Sequence, residues 1–161
     1  MCRILILITI VVICFTGSIA SENTIDRLSG IKGVAIRIFM DDDICKLGLS
    51  EKSIRVTTEL TLRRNGINIV DIENTDDNIL DVDFRTMEIY NNTYVIIMRI
   101  DLYQRAIVSS NGSVSNLIGW SSGAAITSNA TDVTTKSKDA LQEYVESFIN
   151  DVLAANPKVT K

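Results

Sequence analysis

The sequence predicts an α+β two-layer sandwich, with a mainly antiparallel sheet of about five strands and two helices on one face. Apolar and polar residues alternate over several stretches long enough to be strands. Short polar segments separate the later stretches, which is typical of strands joined by hairpins. The chain ends in a segment whose apolar residues recur at helical spacing. The predicted order is β-α-β-β-β-β-α.

The first residues, MCRILILITIVVICFTGSIASEN, predict a secretory signal peptide. The apolar run at 4–15 is short, because a membrane-spanning helix needs about 20 residues. Arg3 precedes the run, and Ser18 and Ala20 occupy the −3 and −1 positions of a cleavage site. We therefore expect residues 1–20 to be a signal peptide, with an uncleaved anchor as the alternative. Export to the periplasm or the outside follows.

Cleavage after Ala20 leaves 21–161, a length that suits a single α+β domain. Of 16 basic residues only Arg3 leaves with the signal, and all 20 acidic residues stay, so the mature charge is 15 − 20 = −5. This balance argues against a nucleic-acid partner. We assign the adjacent Arg63 and Arg64 to a helix end, where they complement the helix dipole. No stable membrane span is expected after cleavage.

Cysteine usage predicts a mature domain without an internal disulfide. Cys2 and Cys14 lie in the signal segment, which leaves Cys45 alone. A lone cysteine is most often a small buried hydrophobe, with pairing to a second chain as the alternative.

The first predicted strand is Gly33–Met40, which is β-rich and ends at the three aspartates 41–43. The predicted helix over 50–64 begins at a Ser50 cap and ends before Gly66, which suits a left-handed residue. Its sheet-facing stripe should contain Leu49, Val56 and Leu60.

A short strand over 67–72 and an acidic loop over 73–78 come next. Two long strands follow, at 79–89 and 93–108, and their even positions are apolar. These even positions are expected to form the core: Leu80, Val82, Phe84, Tyr94, Ile96, Met98, Ile100 and Leu102.

The parity of these two strands constrains the turn between them, because residues directly opposite in an antiparallel pair share a face. A regular two-residue Asn91–Asn92 turn would pair odd with even positions. We therefore predict an odd-length loop or a bulge, with either Asp83 opposite Arg99 or Arg85 opposite Asp101.

The last strand should place Trp120 opposite Leu102, if the loop before it spans 109–113. Its apolar residues share one parity and predict a core-facing side: Val114, Ile118, Trp120, Ala124 and Ile126. A closing helix is predicted over 132–153. Its apolar stripe should cover the sheet with Leu141, Tyr144, Val145, Phe148, Ile149 and Val152.

No catalytic, cofactor-binding or metal-ligating residue can be assigned from the sequence. The chain has no histidine, which removes the commonest general base and metal ligand. A calcium loop beginning at Asp41 would need glycine and glutamate where Lys46 and Lys52 stand. The acidic loop over 71–78 is interpreted as solvated. A carboxylate hydrolase would need two carboxylates converging in a cleft.

Several side chains are interpreted as structural. Asp81 and Asp83 are expected on the wet face of the sheet, and Trp120 is expected in the core rather than on a binding platform. Gly119 and Gly123 indicate a bulge or a close backbone approach.

The outer face of the sheet is less polar than expected, because four of its odd-numbered residues are apolar or aromatic: Val95, Ile97, Tyr103 and Ile107. A partner or a dimer contact on this face would explain them.

The chain resembles a widespread family of small exported bacterial proteins without an assigned function. The matching pieces are the signal peptide, Gly48-Leu-Ser-Glu51, Glu59-Leu-Thr-Leu-Arg-Arg-Asn-Gly-Ile67, Gln104, Trp120 followed by Gly123, Val145-Glu-Ser-Phe-Ile-Asn-Asp151 and Asn156-Pro157. The resemblance covers essentially the whole mature chain and implies a bacterial, periplasmic setting. The layout is also similar to that of envelope accessory proteins such as the lipopolysaccharide-assembly lipoprotein, a likeness of fold alone.

The leading functional hypothesis is a non-enzymatic periplasmic module that binds another cell-envelope protein or assists its assembly. The alternatives are a small-ligand carrier with a pocket between helices and sheet near Trp120, and a carboxylate-based hydrolase. No cofactor is expected.

Overall fold

The computed structural model describes residues 26–72 and 78–157. The predicted signal peptide and most of the predicted acidic loop lie outside these ranges. The described part contains five strands and three helices, after a helical turn at 26–28. In chain order they are β1 Gly33–Met40, α1 Asp42–Lys46, α2 Glu51–Arg64, β2 Asn68–Ile69, β3 Asn78–Tyr90, β4 Thr93–Ile107, β5 Val114–Asn129 and α3 Val133–Ala155. Within the described residues, no helix is both long enough and apolar enough to cross a membrane.

The predicted α+β class is confirmed. The five strands form one mixed sheet in the order β2-β1-β3-β4-β5. The pairings of β3 with β4 and of β4 with β5 are antiparallel and long. In contrast, β1 lies parallel to both of its neighbours, β2 and β3. Helices α2 and α3 pack against each other and against the sheet.

Helix α1 follows β1 directly and was not predicted. Asp41 is its N-cap, and the Asp41 side chain accepts a hydrogen bond from the Ile44 amide at 2.8 Å. The other carboxylate oxygen of Asp41 accepts from the Thr86 amide on β3. The first residue of the aspartate run therefore ends β1 and also begins a helix, since a capping side chain satisfies a free amide of the first turn.

Helix α2 has the predicted ends. Of the three residues predicted to face the sheet, Leu49 is buried as expected, but the prediction for Val56 and Leu60 is wrong. Ser50 caps the helix, and Gly66 has a φ of 82° just after it. Val56 and Leu60 are each 47% exposed, whereas Ile54, Thr58 and Leu62 are buried. On the buried side, the Thr58 hydroxyl donates to the Ile54 carbonyl at 2.9 Å. A threonine with this bond within the helix can occupy a core position. A prediction based only on the apolar residues of the helix therefore selected the wrong face.

The hairpin between β3 and β4 confirms the predicted bulge. Asn91 and Asn92 form a two-residue turn with φ of 38° and 58°, values typical of type I′ hairpins. The register then shifts between Glu88 and Tyr90, which restores the parity of the two strands. As predicted, Asp83 lies opposite Arg99.

Strand β5 pairs Trp120 with Leu102, as predicted. A register irregularity occurs beside this pair, where Gly119 is skipped in the pairing. Because the extra residue reverses the parity, Ile118 lies opposite Tyr103, on the outer face. The prediction that Val114 and Ile118 face the core is therefore wrong, and they are 52% and 43% exposed.

The core lies between the even-numbered side of the sheet and the helices. The predicted even positions of β3 and β4 from Leu80 to Leu102 are buried, and Tyr94 is partly buried. Helix α3 contacts β4 and β5. Its predicted stripe is confirmed, with Tyr144 partly buried and these residues buried: Leu141, Val145, Phe148, Ile149 and Val152.

Candidate functional site

The outer face of the sheet, opposite the helices, carries a row of charged side chains from three adjacent strands. Arg37 of β1 pairs in register with Asp81 of β3, and Asp81 lies directly opposite Asp101 of β4. The Arg37 guanidinium binds Asp81 with two bonds, Nε to Oδ1 at 2.8 Å and Nη2 to Oδ2 at 2.6 Å. This is the bidentate geometry in which arginine binds a carboxylate most strongly.

Asp101 is held by two other partners. The Arg99 Nε lies 2.6 Å from Oδ2 of Asp101, and the Ser121 hydroxyl donates to Oδ1 at 2.5 Å. Asp101 is only 3% exposed and Asp81 only 8%. We call Arg37, Asp81, Arg99, Asp101 and Ser121 the charge cluster.

The charge cluster corrects the prediction that Asp81 belongs to a wet face. Asp81 is buried, with Arg37 bound to its carboxylate, although it lies on the sheet face opposite the helices. Two carboxylates directly opposite each other repel, and each is offset by its own arginine. The pKa of Arg37 is raised, chiefly by its hydrogen bonds to Asp81, which hold the guanidinium in its charged form.

The sequence contained a signal for this cluster. A register that places Asp83 opposite Arg99 also places Asp81 opposite Asp101, because both pairs belong to one antiparallel ladder. A like-charge pair in the middle of a sheet requires cations beside it. The predicted register therefore implies that Asp81 and Asp101 each have a cationic partner.

The chemistry available to the charge cluster is limited by its saturation. Both oxygens of Asp81 and both oxygens of Asp101 have donors within 2.8 Å. A carboxylate acting as nucleophile or general base needs an oxygen aimed at a substrate. Among residues 26–72 and 78–157, no group of three or more acidic or cysteine side chains is placed to hold a metal ion. With its carboxylates saturated, the charge cluster is better suited to form the rigid, polar centre of a binding surface than to act in catalysis.

Apolar side chains surround the charge cluster on the same face. Phe39 is 41% exposed, and the Arg37 guanidinium lies 5.2 Å from the centre of its ring. Ile97 is 51% exposed and Ile107 is 74% exposed. Ile97 and Gly123 both line a shallow depression of about 380 Å³. We call this outer side of β1, β3, β4 and β5 the open face.

Trp120 lies in the core, as predicted. It is 5% exposed, its ring packs edge-on against Phe148 with centroids 5.2 Å apart, and its Nε1 donates to Asp151 at 2.7 Å. The fully buried Leu102 lies opposite it in the ladder. These side chains occupy the space between the sheet and α3 where a carrier pocket near Trp120 would lie.

The remaining sequence candidates have local structural roles or lie outside the site. Arg63 and Arg64 stand in the last turn of α2, where a cation is favourable. Cys45 is exposed, so the prediction of a buried thiol is wrong. It lies on α1, whose buried position is Ile44. Of the predicted acidic loop, residues 73–77 lie outside the described part.

No protein-family model matches this sequence, and no curated protein matches it. A search of solved structures found several similar chains. A PelC dodecamer from Paraburkholderia phytofirmans matches at 18% identity over 78% of this chain and 86% of its own, with a TM-score of 0.39. A minor lipoprotein from Acinetobacter baumannii matches at 12% identity over 77% and 94%, with a TM-score of 0.34. The hypothetical protein CT253 from Chlamydia trachomatis matches at 9% identity over 76% and 98%, with a TM-score of 0.47. These values assign no activity and no partner to this chain.

Proposed function

We propose that the protein is an exported, non-enzymatic module of the bacterial cell envelope that binds another envelope protein through the open face. The observation that carries the proposal is the composition of that face. Large apolar side chains stand exposed around charged groups that already have partners, and the helices pack on the opposite side. Large apolar side chains that stay exposed on one surface of a folded protein mark an interaction site.

The charge cluster supports this role better than it supports catalysis. Its carboxylates have donors on every oxygen, so it can present a fixed pattern of charge without rearranging. A preorganised surface loses little side-chain entropy on association. The predicted signal peptide and the family resemblance support the envelope setting.

The test compares two exposed apolar residues of similar exposure. Ile97→Lys changes the open face at a residue that is 51% exposed, and Val56→Lys changes helix α2 at a residue that is 47% exposed. The full-length protein and both variants are produced with an affinity tag, and proteins captured from envelope extract are identified by mass spectrometry.

We expect one specific protein to be captured by the native chain and by Val56→Lys. Burying the exposed half of an isoleucine contributes about 1 kcal/mol, and a lysine in its place adds a desolvation cost. Affinity for Ile97→Lys should therefore fall by about tenfold or more. Equal capture by all three proteins, or loss only with Val56→Lys, would place the surface elsewhere. No specific capture by the native chain counts against the function itself.

A mass measurement tests the export part separately. The protein recovered from outside the cytoplasm should lack residues 1–20 and begin at Ser21. Recovery of the intact chain would support the anchor alternative.

A further inference from the structure

We propose that the free edge of β5 is a self-association site, at which β5 of a second copy pairs antiparallel and joins two sheets into one. This surface is separate from the open face, since it uses backbone groups at the side of the sheet. The proposal rests on the composition of β5, on how the other edge is protected, and on the distribution of large and small residues along the strand.

Strand β5 is a long edge with little of the usual protection. It spans Val114–Asn129 and lies at the end of the strand order. Its sequence, VSNLIGWSSGAAITSN, contains no charged residue and no proline. An unpaired edge presents a row of backbone donors and acceptors, and soluble proteins usually block it with lysine, proline or a very short strand. In contrast, β1, β3 and β4 each carry charged residues.

The opposite edge of the sheet shows those protections. Strand β2 has only two residues, Asn68–Ile69. Where β1 extends beyond it, the Arg55 side chain donates to the Ile36 carbonyl at 3.2 Å. A short strand and an arginine thus cover the edge that β2 and β1 form.

Protection of β5 is confined to its end and to one bulge. Lys136 donates to the Thr127 carbonyl at 3.1 Å, which bounds the free edge near Ile126. The skipped residue Gly119 interrupts the ladder once. Among residues 26–72 and 78–157, no strand pairs with the outer side of β5, which leaves two segments, 114–118 and 120–126, for pairing with a second copy.

The side chains of these two segments are complementary in size. The first carries three exposed large side chains, Val114, Leu117 and Ile118, at 52%, 57% and 43% exposure. The second contains Gly123, Ala124 and Ala125. When a strand pairs antiparallel with its own copy, the start of one lies beside the end of the other. The large residues of each copy would therefore cover the small residues of its partner, twice, around a two-fold axis.

The faces and charges also agree with this pairing. Leu117 precedes the bulge and pairs with Gln104, so it shares a face with Ala124, which pairs with Met98. Ile118 likewise shares the outer face with Gly123. A register that places Leu117 beside Ala124 keeps both relations. No like charges oppose each other across the axis, because β5 carries none.

The first experiment measures mass in solution by sedimentation over a range of concentrations, with the full-length protein. We expect a dimer. Leu117→Lys and Ala125→Lys place a charge at the edge on exposed positions and should raise the dissociation constant by at least about tenfold. Ile97→Lys is the matched control. Residue 97 lies on β4, directly opposite Ala125 of β5, and is therefore one strand away from the edge. This control should remain dimeric.

The second experiment fixes the register. In a background in which Cys2, Cys14 and Cys45 are all replaced by serine, the double variant Leu117→Cys and Ala124→Cys should form a disulfide-linked dimer on mild oxidation. Directly opposite residues have Cβ atoms about 4.5–5.5 Å apart, close enough for a disulfide after a small shift. Within one chain the two positions are about 23 Å apart along the strand, so no intramolecular bond competes.

A monomer at every concentration would overturn the proposal, and so would a dimer insensitive to both edge variants. A dimer abolished by Ile97→Lys would show that the open face mediates the contact instead. Failure of the proposed function is a different result, since a chain that captures no envelope protein can still form the edge-paired dimer.

Discussion

Replacing Asp81 by asparagine perturbs the charge cluster at its centre. The change keeps the size of the side chain and removes its charge, so the bidentate pair with Arg37 is lost. We expect Asp81→Asn to lower the free energy of unfolding by about 1–2 kcal/mol. That value is the balance of three effects.

The upper limit comes from the two hydrogen bonds. A bond to a charged group contributes about 1.5–3 kcal/mol, which gives about 3–6 kcal/mol for two. The Arg37 side chain is 42% exposed, so water recovers much of the guanidinium's solvation. Repulsion between Asp81 and Asp101 is relieved at the same time. For charges about 5 Å apart at an effective dielectric constant of about 20, that repulsion is about 3 kcal/mol, and their arginine partners reduce it further.

Urea unfolding followed by Trp120 fluorescence measures the effect, because this single tryptophan is buried against Phe148. The control is Asp83→Asn, which removes a more exposed carboxylate paired along the strand with Arg85. It should cost less than about 1 kcal/mol. If Asp81→Asn proves as stable as the native chain, or no less stable than the control, the charge cluster does not hold the open face in place.

Three further predictions use the same assay. Gly123→Ala should lower the free energy of unfolding by about 1–3 kcal/mol, and by more than Gly119→Ala does. The methyl group added at Gly123 meets a backbone carbonyl of β4, whereas the one added at Gly119 meets the end of a flexible glutamine side chain. Similar unfolding midpoints for the two variants would contradict this. Leu62→Ala should cost about 2–5 kcal/mol and Leu60→Ala less than about 1 kcal/mol, since only the former is buried; the reverse order would restore the stripe predicted from sequence. The coupling energy of Arg37 with Asp81 should be the same at pH 7 and pH 10, because a raised pKa keeps the arginine's contribution complete below its unfolded value; a decline over this range would show another titrating group.

Hairpin registers were the most predictable part of the fold. Alternation fixes the face of each residue, and two facing residues must share it, so a bulge between β3 and β4 follows from parity alone. The pairing of Trp120 with Leu102 was predicted for the same reason. The sequence indicated a bulge or a close backbone approach at Gly119, and the ladder skips that residue. The parity prediction for residues 114–118 did not take this bulge into account. Its parity change moved Ile118 to the open face.

Features that depend on packing between distant segments were less predictable. The parallel placement of β1 between β2 and β3 leaves no mark in the alternation pattern. The buried side of α2 includes Thr58, which an apolar count rejects. The charge cluster was missed because alternation separates two faces but does not reveal how far neighbouring side chains bury the outer one. Its one signal was the like-charge pair that the predicted register implied.

The most direct test of the central claim, that the open face is the binding surface, is site-specific photo-crosslinking in cells that export the protein. A photoreactive amino acid replaces Ile97 on the open face or Val56 on helix α2, two positions of similar exposure. We predict a discrete covalent adduct with an envelope protein from position 97 and none from position 56. An adduct from position 56 alone, or from neither position, would contradict the claim.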